Sequence, residues 1–260
     1  LLLAFLAFNA LVRLGLGVYN GDPGIFSSGR ILGALLVGAV FDAGVALWLL
    51  LPLLLMLLPL RAGPVGARSP GRRLISAALF VWCGLLVFVA AAEFVFWNEF
   101  ASRFNFIAVD YLVYTNEVIG NIRESYPMPL LLGSVAALTF ALWWLLMRVL
   151  RGTLWTPAPR LRVRLGYLLV VALLAAGGTL LLDARYKEYS NDAQANELAG
   201  NGYFDFFHAF WANEIDYERF YKTLPDATAL ATVRGRLHLK GPARGPYGLR
   251  RTVEPAGPEW

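Results

Sequence analysis

The chain has 260 residues, 58% of them apolar and 16% charged, where soluble globular domains run at about 45–50% and about 25%. Its mean hydropathy is +0.55, which excludes an ordinary water-soluble globule and calls for lipid as part of the solvent. The net charge of +5 does not mark a nucleic-acid binder, because the arginines gather in two short loops between apolar runs and not on one polar face.

A helix that crosses about 30 Å of hydrocarbon needs roughly 20 apolar residues. Five stretches meet that length: Leu1–Tyr19, Ile31–Leu60, Leu74–Trp97, Met128–Leu150 and Val163–Leu182. None alternates in the manner of a barrel strand, so the predicted fold is all-α, an integral membrane bundle of five transmembrane helices. The chain begins at Leu1, already inside an apolar run, without a small-residue cleavage site ahead of a soluble region. That pattern reads as a fragment lacking its first residues and not as a signal peptide. The second stretch is longer than a straight crossing requires and must tilt, kink or emerge, with Pro52 and Pro59 as the marked places. Cys83, the one cysteine, lies in the third stretch. It reads as a small buried hydrophobe.

The loops orient the spans. Arg61–Arg73 carries four arginines and Arg148–Arg164 carries five, both without an acid. Asn20–Arg30 has one Asp and one Arg, and Asn98–Pro127 has Glu99, Asp110, Glu117 and Glu124 against Arg103 and Arg123. Positive-inside bias places the first two loops in the cytoplasm and the other two outside. The N-terminus is then cytoplasmic and the C-terminus extracytoplasmic.

Apart from Arg148 and Arg164, which sit at span ends and belong to the second basic loop, three charged residues fall within the spans: Arg13, Asp42 and Glu93. Each costs about 2.5–3.5 kcal/mol at mid-helix on the insertion scale. All three are expected in the outer half, where Arg13 can pair with Asp42. One reading is a polar cavity for a lipid headgroup. The other, preferred on the sequence, is a structural ion pair with Glu93 snorkelling at the interface.

Between the third and fourth spans, residues 98–127 form an outer amphipathic segment. Phe100, Phe104, Ile107, Tyr111, Tyr114 and Val118 recur at steps of three and four, the period of one helix face lying in the headgroup layer. After the fifth span, residues 183–225 read as a second, extracytoplasmic interfacial helical segment, with Asn191 or Asp192 as N-cap. Tyr203, Phe204, Phe206, Phe207, Phe210 and Trp211 crowd it, a composition suited to an interface belt or a domain contact. His208 among them reads as packing. Residues 226–260 read as one short helix followed by a basic Gly/Pro linker. A linker that stops at Trp260 implies that another domain follows it.

The run NEFASRFNFIAVDYLVYTNEVIGNIRESYP resembles the stretch after the third membrane helix of lipoteichoic-acid-synthase-like proteins, which are membrane-bound members of the sulfatase/alkaline-phosphatase superfamily. NELAGNGYFDFFHAFWANEIDYERFY is similar to the stretch between their last membrane helix and their catalytic domain, and TVEPAGPEW to the residues just before that domain's first strand. The resemblance covers essentially the whole chain, with the two polar-aromatic blocks as its specific part. It implies a membrane anchor for an extracytoplasmic α/β domain, in which a metal-bound Thr transfers phosphoglycerol or a related group from a phospholipid.

That domain, its nucleophile and its divalent metal of the Mn or Mg type would lie beyond Trp260. No catalytic and no metal-binding residue is assigned within this chain, which has only His208 and His238 as histidines, and by itself it is expected to be inactive. Arg13, Asp42, Glu93, Arg103, Asp110 and Glu117 are the candidates for contact with lipid headgroups or with the absent domain. The implied partners are membrane lipids, an anionic phospholipid donor among them, and the chain's own catalytic domain, at a bacterial cytoplasmic membrane; no nucleic acid is implied. Two alternatives remain. One is the same module of a phosphoethanolamine transferase. The other is a transporter or structural membrane protein, against which stand an odd number of spans and the lack of an internal repeat.

Overall fold

The computed structural model describes residues 1–19, 23–27, 29–59, 70–154, 159–212 and 224–237. The chain divides into two units, Leu1–Asn213 and Glu214–Trp260, and the described residues are helical without a strand.

Five helices of the first unit are long and apolar enough to cross a membrane. They are α1 (Leu2–Tyr19), α3 (Arg30–Leu57), α4 (Pro70–Phe100), α7 (Met128–Val149) and α9 (Leu161–Leu181). Each coincides with one predicted span, no end differing by more than four residues. The short helices α2 (Pro23–Ser27) and α8 (Arg151–Leu154) lie between them. Helix α3 continues through Pro52 and is capped at Leu58, just before Pro59. The stop coincides with the second proline, which has no amide to continue the helix, while Leu58 before it keeps helical backbone. Leu60, residues 61–69 of the first basic loop and residues 155–158 of the second lie outside the described residues.

Helices α1, α3 and α4 pack together, with α7 laid on α4 and α9 on α3. One apolar cluster joins Phe5, Ala46, Trp82, Cys83, Leu86, Leu146 and Tyr203. A second joins Val12, Leu16, Ile25, Ala34, Trp97, Leu198 and Ala199. Large apolar side chains also face outward, among them Leu130, Leu138 and Phe140 on α7 and Leu169, Leu173 and Leu180 on α9. In water such a surface would drive aggregation; it suits a bundle whose solvent is lipid.

The 98–127 segment departs from the single amphipathic helix that its periodicity predicts. After α4 ends at Phe100, Ala101 adopts a left-handed φ of 49° and turns the chain back. Asn105 then caps a new helix, α5 (Phe106–Val113), by accepting from the Ile107 amide at 2.9 Å. A break at Tyr114 separates it from α6 (Thr115–Ser125). The turn brings Phe100, Phe104 and Tyr111 around Phe96 of α4. Part of the predicted lipid-facing aromatic face therefore packs on the bundle, while Leu112, Val113, Tyr114 and Ile119 are left exposed.

Beyond α9 comes a 3-10 turn, Ala184–Lys187, then α10 (Ala193–Ala199) and α11 (Gly202–Ala212). Asp192 caps α10 through the amides of Gln194 and Ala195. This stretch does not merely lie on the bundle. Ala195, Leu198, Ala199, Asn201, Gly202, Tyr203 and Asp205 are buried, Tyr203 donates to the Leu85 carbonyl at 3.2 Å, and Phe204 meets Phe41 at 4.8 Å. The turn between α10 and α11 is lodged among α1, α3 and α4.

In the second unit, α12 (Asp226–Arg236) realises the short helix expected from Asp226, with Arg234 and Arg236 in its last turn, where cations favour the helix dipole. Residues 213–223, His238 and the basic stretch to Trp260 lie outside the described residues.

Candidate functional site

The site begins with a backbone problem. The turn AGNG at 199–202 has non-helical carbonyls and amides inside an apolar bundle, where each unmet group costs several kcal/mol or thereabouts unless protein satisfies it. Arg13, one turn and a half from the end of α1, supplies the donors. Its Nε donates to the Leu198 carbonyl at 2.7 Å and its Nη2 to the Gly200 carbonyl at 3.0 Å. Asn201 supplies the acceptor, its Oδ1 taking the amides of Tyr203 and Phe204 and so capping α11.

The charge of Arg13 is met across the helix interface. Nη1 and Nη2 donate to the two oxygens of Asp42 on α3, each at 3.0 Å, and both side chains are 1% exposed. Asn201 closes the ring by donating to Asp42 at 2.8 Å. Gly38 makes room, since a Cβ at that position would overlap the Arg13 guanidinium. Arg13 thus spends its donors on one carboxylate and two carbonyls, the arrangement for which a planar guanidinium is suited and a lysine is not.

Beside this ring lies a second group. Glu93 of α4 is buried and accepts from Arg103 Nη1 at 2.6 Å. The turn at Ala101 is what brings Arg103 back to it. Glu197 of α10 accepts from the Arg103 amide at 3.2 Å. Lys187 stands 3.4 Å from Glu197 and 3.6 Å from Asp205 of α11. Gly202 has no room for a side chain, because a Cβ there would overlap the Glu93 carboxylate.

The ionisation of this group follows from burial and neighbours. For Arg103, burial works against the charge, yet Glu93, with Asp205 and Asp42 beyond, holds it above the usual arginine value. Lys187 is likewise disfavoured by burial but raised overall by Asp205 and Glu197. Asp205 goes up to about 6, driven by burial; Lys187 opposes the shift and Glu197 adds to it. Lys187 gains from two carboxylates, while at Asp205 burial, with Glu197 and Glu93, outweighs Lys187 and Arg103, so both partners shift upward.

Among the six residues expected at the site, four meet in this centre: Arg13, Asp42, Glu93 and Arg103. Arg13 and Asp42 pair as the sequence allowed. Glu93 does not snorkel but is buried against Arg103. Asp110 on α5 and Glu117 on α6 are exposed and stand apart from it. Sequence reasoning missed Asn201, Glu197, Lys187 and Asp205, all in the stretch read as interfacial, and Arg164 of α9, which is buried and donates to the carbonyls of Leu57 and Leu58 at the end of α3. His208 is exposed and stacks on Phe204 at 5.8 Å.

No family model, no curated protein and no solved structure matches this chain. The chemistry of the site must be read from its own groups. Among the described residues no set of three or more His, Cys, Asp or Glu could hold a metal ion, and each carboxylate of the centre has a cation beside it. The described residues of the centre do not fit a divalent metal. What the arrangement does is hold: it fastens the chain that follows α9 to three helices at once.

Proposed function

We propose that this chain is the five-span membrane domain of a phosphoglycerol-transferase-like enzyme of the sulfatase superfamily, anchoring and positioning an extracytoplasmic catalytic domain that acts on phospholipid headgroups. In this reading the N-terminus is cytoplasmic, and the end of the bundle that receives α10 and α11 faces outward in a bacterial cytoplasmic membrane.

One observation carries the reading. The buried Arg13–Asp42 pair is committed to the chain's own 198–201 stretch, through the Arg13 bonds to Leu198 and Gly200 and the Asn201 bond to Asp42. A conduit keeps its polar groups for its cargo; a platform commits them to whatever it carries. In sequence, segment 184–212 lies between the last span and the stretch after which a catalytic domain would join. The exposed Leu112, Val113 and Tyr114 of α5 and Phe207, Phe210 and Trp211 of α11 give the platform an amphipathic aromatic rim of the kind that settles at headgroup level.

The test is the gene itself, read past the codon for Trp260 and expressed in full. A continuing frame that encodes an α/β domain with a Thr and metal ligands, and whose product transfers a headgroup from a phospholipid, supports the reading. A stop codon directly after Trp260 overturns it.

A further inference from the structure

Asp205 is placed unlike the other carboxylates of the buried centre. Asp42 receives two bonds from Arg13 and one from Asn201, and Glu93 receives a short bond from Arg103. Asp205 is 6% exposed, its Oδ1 lies 3.6 Å from a lysine that also serves Glu197, and its Oδ2 has no hydrogen-bond partner among the described residues. That bare oxygen presses on Gly200, where a Cβ would overlap it.

The groups facing Asp205 come from four elements: Lys187 from the 3-10 turn, Glu197 from α10, Arg103 from the turn after α4, and Glu93 from α4. Among the described residues two cations therefore stand among three carboxylates, leaving one negative charge in excess; Asp205 is buried, while Lys187 and Glu197 are half-buried. Arg103 does not resolve it, since Nη1 is given to Glu93 while Nε and Nη2 have no partner. Among the described residues no metal-binding set is formed there. A proton on Asp205 neutralises the excess at the buried carboxyl.

We propose that the Asp205 carboxyl is a proton-binding site that tightens the docking of segment 184–212 in mildly acid conditions and loosens it as the pH rises. This goes beyond the proposed function and does not depend on it, because the docking is internal to the chain. The upward shift of Asp205 sets the sign. A carboxyl with a higher pKa when docked than when released binds its proton more tightly in the docked state. The docking contribution is then fully present below the ordinary aspartate value near 4 and is lost as the pH passes through about 6.

The experiment uses the full chain in lipid nanodiscs, carboxyl-labelled with carbon-13 at aspartate, as wild type and as Asp205→Asn, which keeps the shape without the charge. The wild-type spectrum should contain one aspartate resonance, absent from the variant, with a midpoint near 6. The wild-type unfolding temperature should fall by a few degrees between pH 5 and pH 8, and the variant should lose that fall; His208 is present in both proteins, so the difference isolates Asp205. Glu197→Gln removes one repelling carboxylate and frees Lys187 for Asp205, and it should move the Asp205 midpoint downward. An Asp205 resonance titrating at the ordinary value, an unmoved midpoint in Glu197→Gln, or an unchanged pH dependence in Asp205→Asn would overturn the proposal. If the Asn variant does not fold, the resonance assigned by selective labelling and its response to Glu197→Gln decide the matter.

Discussion

Arg13 on α1 and Asp42 on α3 meet through two parallel hydrogen bonds of 3.0 Å, and the same guanidinium reaches the carbonyls of Leu198 and Gly200. The pair is thus less a bridge between two helices than a clamp on a third piece of chain. An ion pair taken out of water contributes little net stability on its own, because desolvation of both charges offsets their attraction. Its value here is specificity: it fits one backbone turn in one position.

Removing one partner of that clamp should be far worse than removing both. Arg13→Leu leaves the Asp42 charge with Asn201 alone and strips two carbonyls of their donors, and should cost about 3–5 kcal/mol. The double variant Arg13→Leu with Asp42→Leu should recover part of that loss. Reversible unfolding in nanodiscs or mild detergent measures both, with the wild type alongside.

Two glycines should respond oppositely to alanine. Gly202→Ala drives a methyl group into the Glu93 carboxylate, and the unfolding temperature should fall sharply. Gly120→Ala on α6 meets nothing within 4 Å and should gain about 0.5–1 kcal/mol from helix propensity.

Ala101 is held at a φ of 49°, a region that costs an L-residue about 1–2 kcal/mol. Ala101→Gly should therefore stabilise the protein by about 1 kcal/mol, whereas Ala101→Val should destabilise it and expose Glu93 by displacing Arg103. Thermal unfolding of the two variants checks the opposite signs.

Arg103 and Asp110 lie close in sequence and are both candidates for headgroup contact, but they belong to different surroundings. Arg103→Ala should leave Glu93 buried without its cation and lower stability by about 3–5 kcal/mol. Asp110→Ala, on an exposed position, should change stability by less than about 0.5 kcal/mol. If the lipid-docking reading holds, Asp110→Ala in the full-length enzyme lowers turnover at normal expression. Unchanged turnover would remove Asp110 from that role.

The five membrane-length helices were legible because apolar length is a strong, local signal, and Arg13 and Asp42 stood out because charge is costly in such a run. Asn201, Lys187, Glu197 and Asp205 were not, since polar residues among aromatics look the same whether they lie on a membrane surface or inside a bundle. Only tertiary contact distinguishes the two. Arg164 was hidden by its company, counted with the arginines of a basic loop although its side chain turns back to the end of α3. The break at Ala101 was invisible because nothing in NEFASRFN announces a left-handed residue; a glycine there would have been a signal. The aromatic period through Phe104 and Tyr111 was real, but it served the Phe96 cluster as much as a lipid surface.

The central claim is that the stretch after α9 is an integral part of the bundle, fastened by Arg13. Amide hydrogen exchange of the chain in lipid nanodiscs at neutral pH measures this most directly. Residues 194–205 should be protected to the same degree as α1 and α4, and Arg13→Leu should abolish that protection while α7 and α9 remain protected. Rapid exchange of 194–205 in the wild type, at the rate of an exposed loop, would contradict the account.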